Sequence, residues 1–385
     1  MKKLNIVFFS ANRAEYGLIY PFLKIFSENK KFNLKFVVAG SHLEKKFGSS
    51  INEIKKDNIN IFTKLKVPLK TDELENTAVY FNKLQTKINF FLKKENFDLV
   101  FLSSDRFETL AFAIASYLRK IPIIHYEGGD VTEGGALDDN IRHAITKLSH
   151  LHLTSNNDSL RRILNMGEEK WRCSNVGYSP LYYLEKNKFN LKQIEKKFSL
   201  NQKPLILFTL HPIITSKPKN SKKEVDEIFK ALKILSIKYQ IIVTYPNFDP
   251  GYKYIITKIN NLKNTPNVKI IKHLGRKNYH ALLYFIGKNK KGFCMGNSSS
   301  GIKEAVVFNC PTINIGDRQK SRLKPNNVID VDANKEKIIQ VINTKMKSKK
   351  KIKNPYKIKK SFNKLPENIF QKFLKKDFKL KKCTV

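Results

Sequence analysis

Between His125 and Ser155 the chain reads HYEGGDVTEGGALDDNIRHAITKLSHLHLTS, packing His125, Glu127, Asp130, Asp138, Asp139, Arg142 and His143 around two glycine pairs. Upstream, SSDRFE (103–108) offers Asp105 with Arg106 and Glu108 to fix it. Carboxylates held near one another push their pKa values apart, so that one serves as base while another serves as acid. If Asp105, Glu127 and Asp138 converge in space, they can run proton-transfer chemistry of that kind. His211, followed by Pro212, adds a group able to act as acid, base or phosphate donor near neutral pH. Each has a plainer reading. Asp105 would cap a helix starting at Phe107. Asp138 or Asp139 would cap a helix whose apolar stripe is Ile141, Ile145 and Leu148. His211 would be an inert loop histidine.

A second group of residues suits anions. In GNSSSGIKEA (296–305), Gly296 and Gly301 bracket Ser298, Ser299 and Ser300 at a helix start. Hydroxyls and free backbone N–H groups there form a cradle for a diphosphate, with Glu304 one turn later for ribose hydroxyls. No GK[ST] follows, so this is not a Walker A loop and nucleoside triphosphate hydrolysis is not expected. The loop INIGDRQKSR (313–322) adds Arg318 and Arg322 beside it. In SANRAEYG (10–17), Arg13 lies between a strand and a helix expected to open near Tyr16 or Gly17, with Glu15 as a helix N-terminal acid. Arg13 there suits a phosphate or a base. The segment is not GxGxxG, so nothing supports a nicotinamide or flavin cofactor. A serine-rich helix cap and a plain surface arginine are the ordinary alternatives.

Such residues need strand ends to present them. The apolar runs LNIVFFS (4–10), LKFVVA (34–39), DLVFLS (98–103), IPIIH (121–125) and HLHLTS (150–155) read as strands. Helical patterns fall between them at Gly17–Ser27, Glu73–Lys94 and Phe107–Arg119. Continuous hydrophobicity predicts a parallel sheet covered on both faces. After Gly177 comes a polar stretch to Lys203, and the alternation restarts with PLILFTL (204–210), QIIVTY (240–245), VKIIK (268–272), KGFCMG (291–296) and PTINIG (311–316). We therefore expect an α/β protein of two doubly wound domains, residues 1–177 and 178–345, with a cleft lined by strand ends. Residues 346–385 read as a basic linker and a helix over Leu365–Phe378 with no evident packing partner.

The 385 residues carry a net charge of +40, from 73 Lys and Arg against 33 Asp and Glu. The excess is mostly lysine scattered over helix faces, and the dense run Lys345–Lys360 lacks aromatic interleaving, so nucleic-acid binding is not expected. The background still raises the local concentration of an anionic ligand such as a diphosphate. Cys173, Cys294, Cys310 and Cys383 have no CxxC spacing, which excludes a zinc site or disulfide framework as a reading. Met1–Ser10 is too short and badly flanked for a signal peptide, and no apolar run reaches membrane length. The expectation is a soluble, cytoplasmic protein.

Taken in order, NRAEYG, DRFE, the 125–155 block, GNSSSGIKE and INIGDRQKSR resemble the UDP-N-acetylglucosamine 2-epimerase family of GT-B fold, and its hydrolysing branch in particular. That branch makes N-acetylmannosamine-type sugars for sialic and legionaminic acids. The resemblance implies elimination of the nucleoside diphosphate across C1–C2 to a 2-acetamidoglycal, then addition of water. It implies Asp105, Glu127 and Asp138 as the catalytic acids and His211 as the cleft histidine. Arg13, Ser298, Ser299, Ser300 and Glu304 match nucleotide-binding positions. It implies no metal or redox cofactor, and a homodimer. Two departures stand out. Ser104 occupies a position that is usually Gly, and His125-Tyr126-Glu127-Gly128-Gly129-Asp130 replaces the His-Ile-His-Gly-Gly-Glu of many hydrolysing members. Glu127 instead matches the non-hydrolysing branch, while the long VTEGGALDD insert favours hydrolysis. The alternatives are a non-hydrolysing UDP-GlcNAc/UDP-ManNAc epimerase, a GT-B glycosyltransferase, or a nucleotide-sugar sensor without catalysis.

Overall fold

Apolar strands without polar alternation must be covered on both faces, and two parallel sheets do this here. The computed structural model describes residues 3–44, 50–68, 74–132, 137–184, 189–213, 218–246, 251–344, 352–375 and 377–382. The chain divides into two compact units. One comprises residues 1–131, 137–182 and 356–385, and the other chiefly residues 183–355.

The first unit opens with β1 (Leu4–Ser10), α1 (Arg13–Ser27), β2 (Phe32–Ala39), α2 (Ile51–Lys56), β3 (Thr63–Leu65) and α3 (Leu74–Lys93). It continues with β4 (Leu99–Ser103), α4 (Phe107–Leu118), β5 (Ile123–Tyr126), α5 (Leu137–Leu148), β6 (Leu151–Thr154), α6 (Asn157–Asn165) and β7 (Cys173–Asn175). The short α7 (Leu181–Leu184) ends this stretch. The sheet order is β3-β2-β1-β4-β5-β6-β7, all parallel. Strand residues alternate between its two cores. Ile6 and Phe8 join Phe22, Phe26 and Phe101 on one face, while Val7 and Phe9 join Phe91 and Phe112 on the other. Phe8 stacks on Phe101 with ring centroids 4.5 Å apart. Each such ring contributes about 1.5–3 kcal/mol by leaving water.

The second unit begins with α8 (Leu191–Phe198), β8 (Leu205–Thr209), α9 (Pro218–Leu235), β9 (Gln240–Thr244), α10 (Tyr252–Asn260) and β10 (Val268–Ile271). Next come α11 (Gly275–Asn289), β11 (Gly292–Gly296), α12 (Ser299–Lys303), β12 (Thr312–Ile315), β13 (Val328–Val331) and α13 (Lys335–Thr344). Its order, β10-β9-β8-β11-β12-β13, repeats the doubly wound plan of the first sheet.

The strands expected from the sequence form within two residues of their anticipated ends. Three strands were not anticipated: β3, β7 and β13, of three, three and four residues. All lie at or next to a sheet edge, where short, partly polar strands carry little hydrophobic signal. Two helices differ from expectation, α1 and the one read over Leu365–Phe378, which ends at Phe373. α1 opens at Arg13 because Asn12 caps it, its Oδ1 accepting from Glu15 N at 3.0 Å. α12 is short: it stops at Lys303 and gives way to a 3-10 turn over Ala305–Phe308.

The terminal segment has a partner after all. α14 (Leu365–Phe373) buries Leu365, Ile369 and Phe370 in the first unit's core together with Phe362 and Phe378. On its way it passes Gly177, where φ is +83° and a Cβ would lie 2.4 Å from the Lys357 carbonyl oxygen. The run Lys345–Lys351 and Cys383 lie outside the described residues. Among the described residues, no helix is long and apolar enough to cross a membrane.

Candidate active site

In the first sheet the strand order reverses between β1 and β4, and ligand crevices form at such a switch point beyond the strand C-termini. Arg13 follows β1 and Asp105 follows β4, so both flank it. Arg13 is exposed in the first turn of α1. Asp105 does not cap α4: the N-cap is Arg106, with no side-chain cap bond. Instead Asp105 Oδ2 pairs with the Arg142 guanidinium of α5, and Oδ1 accepts from Ser104 Oγ at 2.7 Å. Arg142 is only 3% exposed and also reaches Asp139 at 3.4 Å. A buried guanidinium needs such partners, so Arg142 ties the loop after β4 to α5.

Glu127 follows β5, which pairs directly with β4 through Leu102↔His125 and Ser103↔Tyr126. It is buried, and its backbone N–H donates to Leu153 O at 3.0 Å. Asp138 sits half-buried in the first turn of α5, one turn before Arg142. The position before α5 lies outside the described residues, as do residues 133–136 of the VTEGGALDD insert. Asp105, Glu127 and the helix bearing Asp138 are thus assembled around β4, β5 and α5.

Ser104 and Glu127 both adopt positive φ, +74° and +69°. The left-handed region costs a non-glycine residue on the order of 1 kcal/mol, which explains why glycine suits position 104 in the family this chain resembles. Hydrogen bonds hold the strained loop. Ser104 N donates to Tyr126 O at 3.0 Å, and His125 Nε2 donates to Ser104 O at 2.9 Å. Burial brings His125 down to about 3, so the ring is neutral. With its proton on Nε2, Nδ1 accepts from the Thr146 hydroxyl of α5 at 3.1 Å. Gly128 makes room for that contact, since a Cβ there would lie 2.9 Å from Thr146 Oγ1.

Glu15 lies beneath the same switch point, 1% exposed. Its carboxylate accepts from Ala11 N and from the Thr109 hydroxyl of α4, each at 2.7 Å. Burial, and next the neighbouring Glu108, raise it to about 7. It joins the loop before Arg13 to α4 directly after Asp105.

The second sheet reverses its order between β8 and β11. His211 follows β8, and Ser298, Ser299 and Ser300 follow β11. Asn297 joins the two ends: Oδ1 accepts from His211 N at 2.7 Å and Nδ2 donates to His211 O at 2.9 Å. Its own carbonyl accepts from Arg318 Nη1 and Gln319 Nε2, both at 3.1 Å, which adds the loop after β12. His211, Ile213, Glu224, Asn297 and Gly316 line a pocket there. Gly296 has φ +128°, and a Cβ would lie 1.9 Å from Thr209 O. Ser298 caps α12 by accepting from Ser300 N at 3.4 Å, and all three serines are half-buried. Glu304 ends the helix with Oε2 2.7 Å from His280 Nε2 of α11.

Sequence reading did not anticipate Thr109, Thr146, His280, Asn297 or Gln319 as site-building residues. Asn297, between Gly296 and Ser298, had the best available signal, because an amide at a strand end can bridge backbone groups. The other four sit within helices or turns whose patterns look ordinary.

A fold of two doubly wound sheets, with acids at one switch point and a serine-rich helix start at the other, defines a GT-B protein. The chain belongs to the UDP-N-acetylglucosamine 2-epimerase family, whose pattern matches residues 24–369, and within it to the hydrolysing branch. It is 35% identical over 338 residues to the GDP/UDP-N,N'-diacetylbacillosamine 2-epimerase (hydrolyzing) of Campylobacter jejuni, covering 87% of this chain and 86% of that one. To the UDP-N,N'-diacetylbacillosamine 2-epimerase (hydrolyzing) of Legionella pneumophila it is 32% identical, covering 87% of each. The UDP-GlcNAc 2-epimerase of Neisseria meningitidis, solved bound to UDP-GlcNAc, superposes with a TM-score of 0.79. It is 18% identical and covers 96% of this chain and all of that one, a likeness of fold.

Proposed function

We propose that this protein is a hydrolysing 2-epimerase that converts a UDP- or GDP-linked acetamido sugar to the free 2-epimeric sugar and the nucleoside diphosphate. The two relatives named for diacetylbacillosamine favour a sugar with two acetamido groups. The observation that carries the chemistry is the Asp105–Arg142 pair, which draws the acid after β4 to the helix bearing Asp138, with Glu127 on the adjoining strand end.

One of these carboxylates takes the C2 proton, the C1–O bond breaks, and the electron pair leaves with the diphosphate. The 2-acetamidoglycal then gains water oxygen at C1 and a proton at C2 from the opposite face. The C2 hydrogen is weakly acidic, so the base must be held close while leaving-group charge is stabilised. His211 assists proton transfer or holds phosphate. Ser298, Ser299, Ser300, Glu304, Arg318 and Arg13 bind the nucleotide half. The reading includes the sialic or legionaminic acid type of pathway and a cytoplasmic setting. The free thiols of Cys173, Cys294 and Cys310 suit a reducing compartment. It also includes a homodimer, for which exposed Val79 and Phe90, eleven residues apart on one face of α3, offer apolar surface.

The test is turnover without an acceptor in heavy water, using UDP- and GDP-linked mono- and diacetamido sugars. Free 2-epimeric sugar carrying deuterium at C2, with no return to nucleotide sugar on adding diphosphate, is the expected outcome. Retention of the original C2 hydrogen, or a requirement for an acceptor, overturns the reading in favour of glycosyl transfer.

A further inference from the structure

We infer that residues 377–382, at the end of the chain, clamp the acid-bearing helix α5, with Lys381 as a positioning residue for the chemistry proposed above. The inference rests on that reading for its kinetic consequence only.

The last turn of a helix leaves carbonyls without intrahelical partners, at the negative end of its dipole. Lys381 Nζ occupies that position on α5. It donates to Ser149 O at 2.6 Å and Thr146 O at 3.3 Å, and pairs with Glu168 Oε1 at 3.0 Å. Its side chain is 11% exposed and that of Glu168 is fully buried. The other Glu168 oxygen meets His152 Nε2 on β6 at 2.9 Å. The ammonium therefore links the end of α5 to the strand beside it.

The path of the tail is set by its backbone. Arg172, fully buried, donates to the carbonyls of Phe378 and Asp377 at 2.9 Å and of Leu380 at 2.6 Å. Phe378 is buried in the core. Arg172 thus fixes where residue 381 emerges whatever the neighbouring side chains are, while the Lys381 side chain reaches α5.

Thr146 makes this more than a general contact. Lys381 holds its carbonyl, and its hydroxyl meets His125 Nδ1, whose Nε2 donates to Ser104 O beside Asp105. From the middle of α5, Arg142 grips Asp105 itself. A shift of α5 along its axis therefore moves Asp138 and, through Arg142, pulls on Asp105 relative to Glu127 at the end of β5. Displacements near 1 Å cost roughly 100-fold in rate.

The test compares full-length wild type, Lys381→Met and Lys381→Arg well below their melting temperatures. Steady-state kinetics use the nucleotide sugar that wild type turns over, and amide hydrogen exchange is followed over residues 141–149. Lys381→Met is expected to lower kcat about tenfold with KM within twofold and to speed exchange in that helix, and Lys381→Arg to restore most of both. Unchanged kcat in Lys381→Met, or an equal loss in Lys381→Arg, overturns the positioning role. Unchanged exchange in Lys381→Met overturns the clamp. Should wild type turn over none of the nucleotide sugars, the proposed function fails, while the exchange result still decides the clamp.

Discussion

His125 Nε2 donates to the Ser104 carbonyl at 2.9 Å, so a neutral ring on β5 holds the left-handed residue directly before Asp105. A buried side chain thus braces the backbone next to the first candidate acid. Asp105 and Glu127 occupy loop or strained positions, and the supports around them, His125, Thr146, Arg142 and Glu15, come from the ordered elements.

Replacing His125 by Phe keeps the volume and removes both bonds. The Ser104 carbonyl loses its buried partner, at a cost of about 1–3 kcal/mol, while the Thr146 hydroxyl can still donate to the Arg142 carbonyl at 3.0 Å. The pH dependence should also change. His125 falls from the ordinary 6.5 to about 3 in the folded protein, so the unfolded chain binds the extra proton between those values. Stability from the neutral ring is complete above 6.5 and is lost as pH falls toward 3. Urea midpoints measured across that window should decline less steeply in His125→Phe than in wild type, and parallel curves would refute the assignment.

Amide substitutions at Asp105 and Asp138 should part company in stability. Both should lower turnover by roughly 100- to 10,000-fold if these acids transfer protons. Asp105→Asn also deprives the nearly buried Arg142 of a charged partner, leaving Asp139 at 3.4 Å, and should destabilise by about 1–3 kcal/mol. Asp138 is half-buried, and its amide variant should melt close to wild type. Near-normal turnover in Asp138→Asn would return that residue to a purely helical role.

Glu15 gives a signature of opposite sign. Its pKa rises from 4.5 to about 7 in the folded state, so the folded protein binds the proton more tightly. Its contribution declines as pH rises from 4.5 to 7, reaching a penalty of about 3 kcal/mol above that range. In Glu15→Gln the amide oxygen can still accept from Ala11 N and the amide nitrogen can donate to Thr109. This variant should be more stable than wild type at pH 8 and similar at pH 4. Denaturant titrations at the two pH values check this, and equal differences at both would exclude a titrating Glu15.

Nucleotide binding is measured by calorimetry with free UDP and GDP. Glu304→Ala and Ser299→Ala should each weaken the preferred diphosphate about tenfold, near 1.4 kcal/mol. His280→Phe removes the 2.7 Å partner of Glu304 and should produce part of the Glu304→Ala loss. Full affinity in all three variants would move the nucleotide elsewhere.

The two alternating α/β stretches were legible because a doubly covered parallel strand must be apolar along its whole length, as in LNIVFFS and PLILFTL. The candidate residues were legible because acids, glycines and serines directly after such strands have few structural reasons to cluster. The sequence was silent where pairing depends on position in space. Thr146 and His125 are 21 residues apart, Arg142 and Asp105 are 37, and Lys381 and Ser149 are 232. No local period joins them, since each bond exists only once the first unit has brought distant elements together around its sheet. The start of α1 at Arg13 was hidden for a smaller reason, because one Asn12 cap outweighs the apolar pattern beginning three or four residues later. The fate of the chain's end was decided by tertiary structure alone. Leu365, Phe370 and Phe378 make an amphipathic pattern that any apolar face could satisfy, and the core beside α1 is the one that does.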